Sequence, residues 1–212
     1  MVAGLFISFE GSDGSGKSTQ ARLLAQWLGE QGYDVVLTRE PGGTELGQEI
    51  RQLLLHGSDM DSRAEALLFA ADRAHHVASK IRPALERGAI VITDRYLDSS
   101  VAYQGAARDL PRDEVRDLSL WAVQNLLPEL TIVVDASVAV AKRRVGDQLD
   151  RMEAEGDSFQ DRVRTQFLEL ADQDPGRFVV VDGERAIDAV AAEVQQIVGP
   201  YLGQFGVAPA EL

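Results

Sequence analysis

Gly11-Ser-Asp-Gly-Ser-Gly16-Lys17-Ser18 fits the pattern G-x-x-x-x-G-K-[ST] at every fixed position. That spacing suits the binding of a nucleoside triphosphate. The glycines let successive backbone N–H groups converge on an anion, and a following helix N-terminus adds positive potential. Lys17 is placed to reach the β- and γ-phosphates, and the Ser18 hydroxyl to ligate Mg²⁺. Gly11, Ser12, Asp13, Gly14, Ser15, Gly16, Lys17, Ser18 and Thr19 are therefore the expected ATP-binding residues. Kinases, switches and motor ATPases share such a loop, so it leaves open what becomes of the phosphate.

Two further groupings would supply an acceptor site. Asp94-Arg95-Tyr96 follows the apolar run Ala89 to Thr93, which puts the pair at the carboxyl edge of a parallel sheet, where such folds bind ligands. An arginine there can clamp phosphate oxygens with two N–H donors; a structural Asp–Arg pair is the alternative. Phe69 and Arg73 are four apart in a helical stretch and so share one face. A ring beside a guanidinium suits a planar base, one stacking and the other donating to a carbonyl edge. Taken alone, the pair also reads as packing beside a surface charge.

Alternating elements must hold these residues in place. Leu5-Phe-Ile-Ser-Phe9 reads as a buried strand. Leu23, Leu24, Trp27 and Leu28 repeat with helical spacing between Lys17 and about Gly32, which closes that helix. Asp34 to Thr38 is a second strand, broken by the turn Arg39-Glu-Pro-Gly-Gly43. Helical stretches follow near 45–56 and 62–87, and strands at Ala89 to Thr93, Leu130 to Val134 and Phe178 to Val181. A helix from about Ala186 to Leu202 completes the pattern. This is an α/β chain, with a central five-stranded parallel sheet covered by helices on both faces. Residues 1–212 are expected to form a single domain. Gly146 to Gln160 is charged and lacks a core pattern; it is expected to be a small mobile lid, with a solvated loop as the alternative. Gly203 to Leu212 reads as a frayed tail.

Bulk properties narrow the function classes. The chain has 212 residues, 45% of them hydrophobic and 26% charged, with no cysteine. Disulfides, thiolate nucleophiles and cysteine-held metals are excluded, and a reducing cytosol fits. Met1-Val2-Ala3-Gly4 has no basic flank and no apolar run approaches bilayer length, so neither a secretory signal nor a membrane span is expected. A net charge of −13 argues against a general nucleic-acid surface. Only Lys17, Lys80 and Lys142 are lysines, against 18 arginines, which makes the lysine in the loop more noticeable.

Longer motifs carry a family resemblance. They are Phe9-Glu-Gly-Ser-Asp-Gly-Ser-Gly-Lys-Ser18, Thr38-Arg-Glu-Pro-Gly-Gly-Thr44, Phe69-Ala-Ala-Asp-Arg73, Asp94-Arg-Tyr96 and Asp98-Ser-Ser-Val-Ala-Tyr-Gln-Gly105, with Leu149-Asp-Arg-Met-Glu153 and Phe167-Leu-Glu-Leu-Ala171 further on. In this order they resemble the bacterial thymidylate kinases, of the nucleoside monophosphate kinase group. The resemblance implies a P-loop NTPase three-layer fold and phosphorylation of thymidine monophosphate (dTMP) by ATP with Mg²⁺. It also implies a cytoplasmic homodimer, with apolar helical faces after the third strand available for the contact.

The same resemblance assigns the acceptor residues. Phe69 stacks on thymine, Arg73 donates to its O4, and Ser100 and Gln104 form a polar pair at the base. Tyr103 lies under the sugar and disfavours a 2′-hydroxyl, which a ring packed at C2′ leaves no room for. Asp13 engages the 3′-hydroxyl, Arg95 sits between the phosphates, and Glu40 and Arg51 complete the acceptor set. Family members carry a catalytic arginine either in the phosphate loop or in the lid. Ser12, Asp13, Gly14 and Ser15 are not basic, so Arg151 is expected to join Lys17 and Arg95 as catalytic, with Arg143 or Arg144 assisting. Glu153 is expected to help hold the metal through water. The competing readings are another P-loop kinase of a nucleotide or small metabolite, and a switch ATPase that acts on a protein partner.

Overall fold

In a computed structural model of the chain, the described residues are 4–108, 110–145, 151–152 and 155–204. Five parallel strands run in the order β2-β3-β1-β4-β5: β1 Leu5–Glu10, β2 Val35–Arg39, β3 Ile90–Asp94, β4 Leu130–Asp135 and β5 Phe178–Asp182. The central strand β1 is buried at every position, because helices cover both faces of the sheet. Its one hydroxyl, Ser8 Oγ, is satisfied by Thr131 Oγ1 at 2.8 Å.

On one face, Leu24 and Leu28 of α1 (Lys17–Glu30) and Val190, Val194 and Val198 of α9 (Ile187–Gln204) pack on Ile7, Phe9 and Ile132. On the other face, Phe6, Val91 and Tyr96 meet Ile81 and Leu85. The remaining helices are α2 (Glu45–His56), α3 (Ser62–His76), α4 (Arg82–Glu86), α5 (Leu97–Ser100), α6 (Arg112–Ala122), α7 (Val138–Val145) and α8 (Asp157–Gln173).

The stretch expected as one helix over 62–87 is α3 and α4 joined by a wide π-helical turn, Val77–Ile81. A second such turn, Val101–Ala107, continues α5 and closes with Arg108 N donating to Tyr103 O at 3.0 Å. Wide turns of this kind displace side chains from regular helical spacing and recur at functional sites; this one carries Tyr103 and Gln104. The expected lid is divided. Residues 146–150, 153 and 154 lie outside the described residues, and Asp157–Gln160 form the first turn of α8. Gly203 and Gln204, expected in the tail, are the last residues of α9, and 205–212 lie outside the described residues.

Candidate active site

The phosphate loop joins β1 to α1 at the carboxyl edge of the sheet. Three of its glycines, Gly11, Gly14 and Gly16, have positive φ. At Gly14 the constraint is double: φ is +79°, and a Cβ there would lie 2.2 Å from Ala141 O of α7. Helices α2 and α3 are capped by the side chains of Thr44 and Asp61. Helix α1 begins after Gly16 with no side-chain cap and no acid in its first turn, so its leading N–H groups stand ready for an anion. Lys17 is buried and donates to Ser12 O at 3.2 Å and Asp13 Oδ1 at 3.3 Å, whereas Ser18 is exposed.

Asp13 and Arg95 join this loop to the neighbouring strand. Arg95 Nη2 donates to Asp13 Oδ1 at 2.6 Å and to the Tyr103 hydroxyl at 2.9 Å, and its Nη1 to Ser99 Oγ at 3.0 Å. The Tyr103 hydroxyl donates to Asp13 Oδ2 at 2.9 Å, and the guanidinium lies over the Tyr103 ring at 4.8 Å. Burial alone would raise the Asp13 pKa, but Arg95 and then Lys17 outweigh it and hold the carboxyl well below the usual range. Arg95 itself sits at φ 70°, a left-handed conformation costing a non-glycine residue about 1–3 kcal/mol. Its surroundings hold it there. Arg95 N donates to Phe9 O, Thr93 Oγ1 donates to Arg95 O, and Tyr96 N donates to Glu10 Oε1 at 2.8 Å. Glu10 Oε2 also accepts from Ser99 Oγ at 2.6 Å. Burial, and then nearby Asp98, push the Glu10 carboxyl up to about 8.

Beside this node lies a cleft of about 520 Å³. Every residue expected at the acceptor lines it: Asp13, Glu40, Arg51, Phe69, Arg73, Arg95, Ser100, Tyr103 and Gln104. Leu55, Pro41, Ser99 and Met152 complete the wall. Arg73 is no surface charge, being only 1% exposed. Its Nε donates to Glu40 Oε2 at 2.6 Å, Nη1 to Ser100 Oγ and Ser119 Oγ at 3.1 and 3.4 Å, and Nη2 to Tyr96 O at 3.1 Å. A guanidinium has five N–H groups, so these bonds fix its plane and leave one Nη2 hydrogen for a ligand. Glu40 Oε1 in turn pairs with His76 Nδ1 at 2.9 Å. Arg51 Nη1 donates to Pro41 O at 3.0 Å.

Of the arginines expected beside the phosphates, Arg144 lies at the phosphate loop and Arg151 is paired elsewhere. Arg151 Nε donates to Leu54 O at 2.8 Å and Nη2 pairs with Glu65 Oε2 at 2.6 Å. Arg143 is exposed on α7. Arg144 Nη1 lies against the phosphate loop itself, on Ser15 O at 3.2 Å and Gly183 O at 2.9 Å. Glu153 lies outside the described residues.

A second cleft opens behind the loop, lined by Gly16, Thr19, Arg144, Gly183, Arg185 and Ile187 among others. The sequence reading missed it. Its signal was available, since Asp182-Gly183-Glu184 ends β5 at the same carboxyl edge. Asp94 Oδ1 is a further missed feature: it is buried and has no hydrogen-bond partner among the described residues.

Residues 9–194 match the family described as thymidylate kinase. The chain is 57% identical over 198 residues to a thymidylate kinase of Clavibacter sepedonicus, covering 92% of this chain and 94% of the relative. It is 58% identical over 196 residues to one of Leifsonia xyli subsp. xyli, covering 91% and 93%. A crystal structure of thymidylate kinase from Ehrlichia chaffeensis superposes with a TM-score of 0.77 at 35% identity, covering 92% of this chain and 98% of that one. With a family match over most of its length and relatives of this identity and coverage, the chain belongs to the thymidylate kinase family.

Proposed function

We propose that this chain transfers the γ-phosphoryl group of ATP to a phosphate oxygen of dTMP, releasing ADP and thymidine diphosphate. The observation that carries this reading is the convergence of the nine expected acceptor residues on one cleft that shares Asp13 with the phosphate loop. An acceptor phosphate near neutral pH is already anionic, so no general base is required. The protein has to align the two nucleotides and neutralise charge in a largely dissociative transition state. Loop N–H groups and Lys17 take the ATP phosphates. Arg95, fixed by Asp13, Ser99 and Tyr103, spans toward the acceptor phosphate. Phe69 receives the thymine face, and the remaining Nη2 hydrogen of Arg73 meets O4. The second cleft, continuous with Gly16 and Thr19, takes the adenosine of ATP against Arg144.

The residues present fit Mg²⁺. Ser18 offers an exposed hydroxyl and Asp94 an unpartnered carboxylate oxygen. No cluster of three or more His, Cys, Asp or Glu ligands occurs among the described residues, in keeping with an ion held mainly by phosphates and water. When bound, Mg²⁺ would neutralise charge on the β- and γ-oxygens. Catalysis by Arg151 requires that it leave Glu65, and Glu153 stays a candidate metal contact through water.

A homodimer accords with the apolar side chains exposed on three helices of which α3 packs against both others: Leu46 and Leu53 of α2, Leu67 of α3, and Trp121 of α6 at 79% exposure; α6 follows β3 as expected, whereas α2 and α3 precede it. Sedimentation showing a monomer at micromolar concentration would remove that assignment. No described helix is long and apolar enough to cross a membrane; cytoplasmic localisation is part of the same proposal.

ADP release measured over a panel of nucleoside monophosphates tests the function. Turnover that depends on dTMP is expected. Preference for a different acceptor would favour another P-loop kinase, and turnover without any acceptor a switch ATPase.

A further inference from the structure

Glu65, Phe69 and Arg73 are spaced four apart on α3 and so share the face turned to the cleft. Phe69 and Arg73 line the cleft; Glu65, only 1% exposed, lies behind it. Its partners are all donors. Oε1 accepts from Gln104 Nε2 at 2.9 Å and Arg108 Nε at 3.4 Å. Oε2 accepts from Arg108 Nη2 at 3.4 Å and pairs with Arg151 Nη2 at 2.6 Å. Every contact to this carboxylate comes from an N–H group, so both of its oxygens are engaged as acceptors.

The consequence falls on Gln104. Its amide has one donating and one accepting end, and Glu65 can engage only the donating one. Gln104 is itself 1% exposed and lines the cleft, so the end left for a ligand is the carbonyl Oε1. A carbonyl oxygen at the wall of a binding cleft is complemented by an N–H donor from the ligand.

We infer that Glu65 is a positioning residue that fixes the Gln104 amide with its carbonyl toward the acceptor cleft, so that the cleft selects pyrimidine rings carrying a hydrogen on N3. The inference rests on reading the cleft as a nucleoside monophosphate site. Thymine and uracil supply that hydrogen. Cytosine sets an unprotonated N3 against the carbonyl, acceptor against acceptor, and its 4-amino group faces Arg73, which has only donors. Selection against cytosine therefore comes from two polarities, one fixed by Glu40 through Arg73 and the other by Glu65 through Gln104.

The test is the ratio of kcat/KM for dTMP to that for dCMP, in the wild type and in Glu65→Gln. Glutamine can present either end to Gln104, so the amide is free to turn. The ratio is expected to fall by at least about tenfold, with the dTMP loss appearing in KM more than in kcat. A merely structural role would lower both substrates together and leave the ratio unchanged, and that result would overturn the inference. A measurement on the wild type avoids dependence on the variant's folding: a dTMP analogue with C–H in place of N3–H is expected to compete at least about tenfold more weakly than dTMP. Equal competition would equally overturn it. Wild-type protein that does not phosphorylate dTMP at all would instead refute the functional reading, and the inference with it.

Discussion

Arg95 Nη2 stands 2.6 Å from Asp13 Oδ1, tying the residue after β3 to the third position of the phosphate loop after β1. The pair lines the cleft at its junction with the phosphate loop, and each partner is held by others: Asp13 by Lys17 and Tyr103, Arg95 by Ser99. Such cross-bracing lets a charged group act without reorganising during the reaction.

Arg95→Ala therefore removes charge neutralisation where phosphoryl transfer is proposed while leaving the loop N–H groups in place. Turnover should fall by on the order of 10³-fold or more, with binding of a non-hydrolysable ATP analogue nearly intact. Arg95→Lys should recover little, since an ammonium lacks the planar fork that spans Ser99, Asp13 and Tyr103. Near-normal turnover in the alanine variant would remove Arg95 from the mechanism.

Tyr103 is held at both ends, by its hydroxyl between Asp13 and Arg95 and by its ring against Phe159 and Phe167. A ring so fixed cannot yield to an added 2′-oxygen. Tyr103→Ala should admit ribothymidine monophosphate better relative to dTMP, read as the ratio of their kcat/KM values. Unchanged discrimination would show that the ring does not face the sugar.

Two glycines of the phosphate loop should respond differently to alanine. At Gly14 a Cβ meets Ala141 O at 2.2 Å and φ is +79°; at Gly16 φ is +106° with nothing within 4 Å. Gly16→Ala carries backbone strain alone, about 1–2 kcal/mol. Gly14→Ala must in addition push α7 away from the loop. Calorimetric ATP affinity should fall further in Gly14→Ala than in Gly16→Ala, and equal losses would contradict the close approach of α7.

Much of this was legible in the sequence, and what was not has a physical reason. The three inner strands β3, β1 and β4 are largely apolar runs because they are covered on both faces, and the observed limits of all five strands lie within a residue of those expected. The nine residues expected at the acceptor line one cleft. What pattern could not give is the buried carboxyl groups behind them: Glu10 and Glu65 each meet donors drawn from distant segments. The wide turn at Val101–Ala107 likewise escapes any helical periodicity. Arg151 was assigned by the absence of an arginine in the loop, and a residue's charge does not tell which carboxylate will hold it.

Glu10 gives stability a pH dependence whose sign can be worked out. Its folded-state pKa of about 8 lies above the ordinary 4.5, so folding takes up a proton. The stability tied to that proton is complete below the ordinary value and is lost as pH rises through about 8. Asp98 and Arg95 face the group, with Ser99 and Tyr96 N bonded to it. Glu10→Gln cannot titrate there. Between about pH 6 and about pH 9 the wild-type Tm should fall by several degrees more than that of the variant. Parallel Tm curves would mean that Glu10 does not take up that proton.

The central claim is that one cleft presents the dTMP phosphate to ATP across Arg95. It is tested most directly by incubating the protein with Mg²⁺, dTMP and ATP labelled at the γ-phosphorus, and identifying the labelled product. The account predicts label in the β-phosphate of thymidine diphosphate, in step with ADP and lost in Arg95→Ala. Label appearing as inorganic phosphate at the same rate with or without dTMP would contradict it.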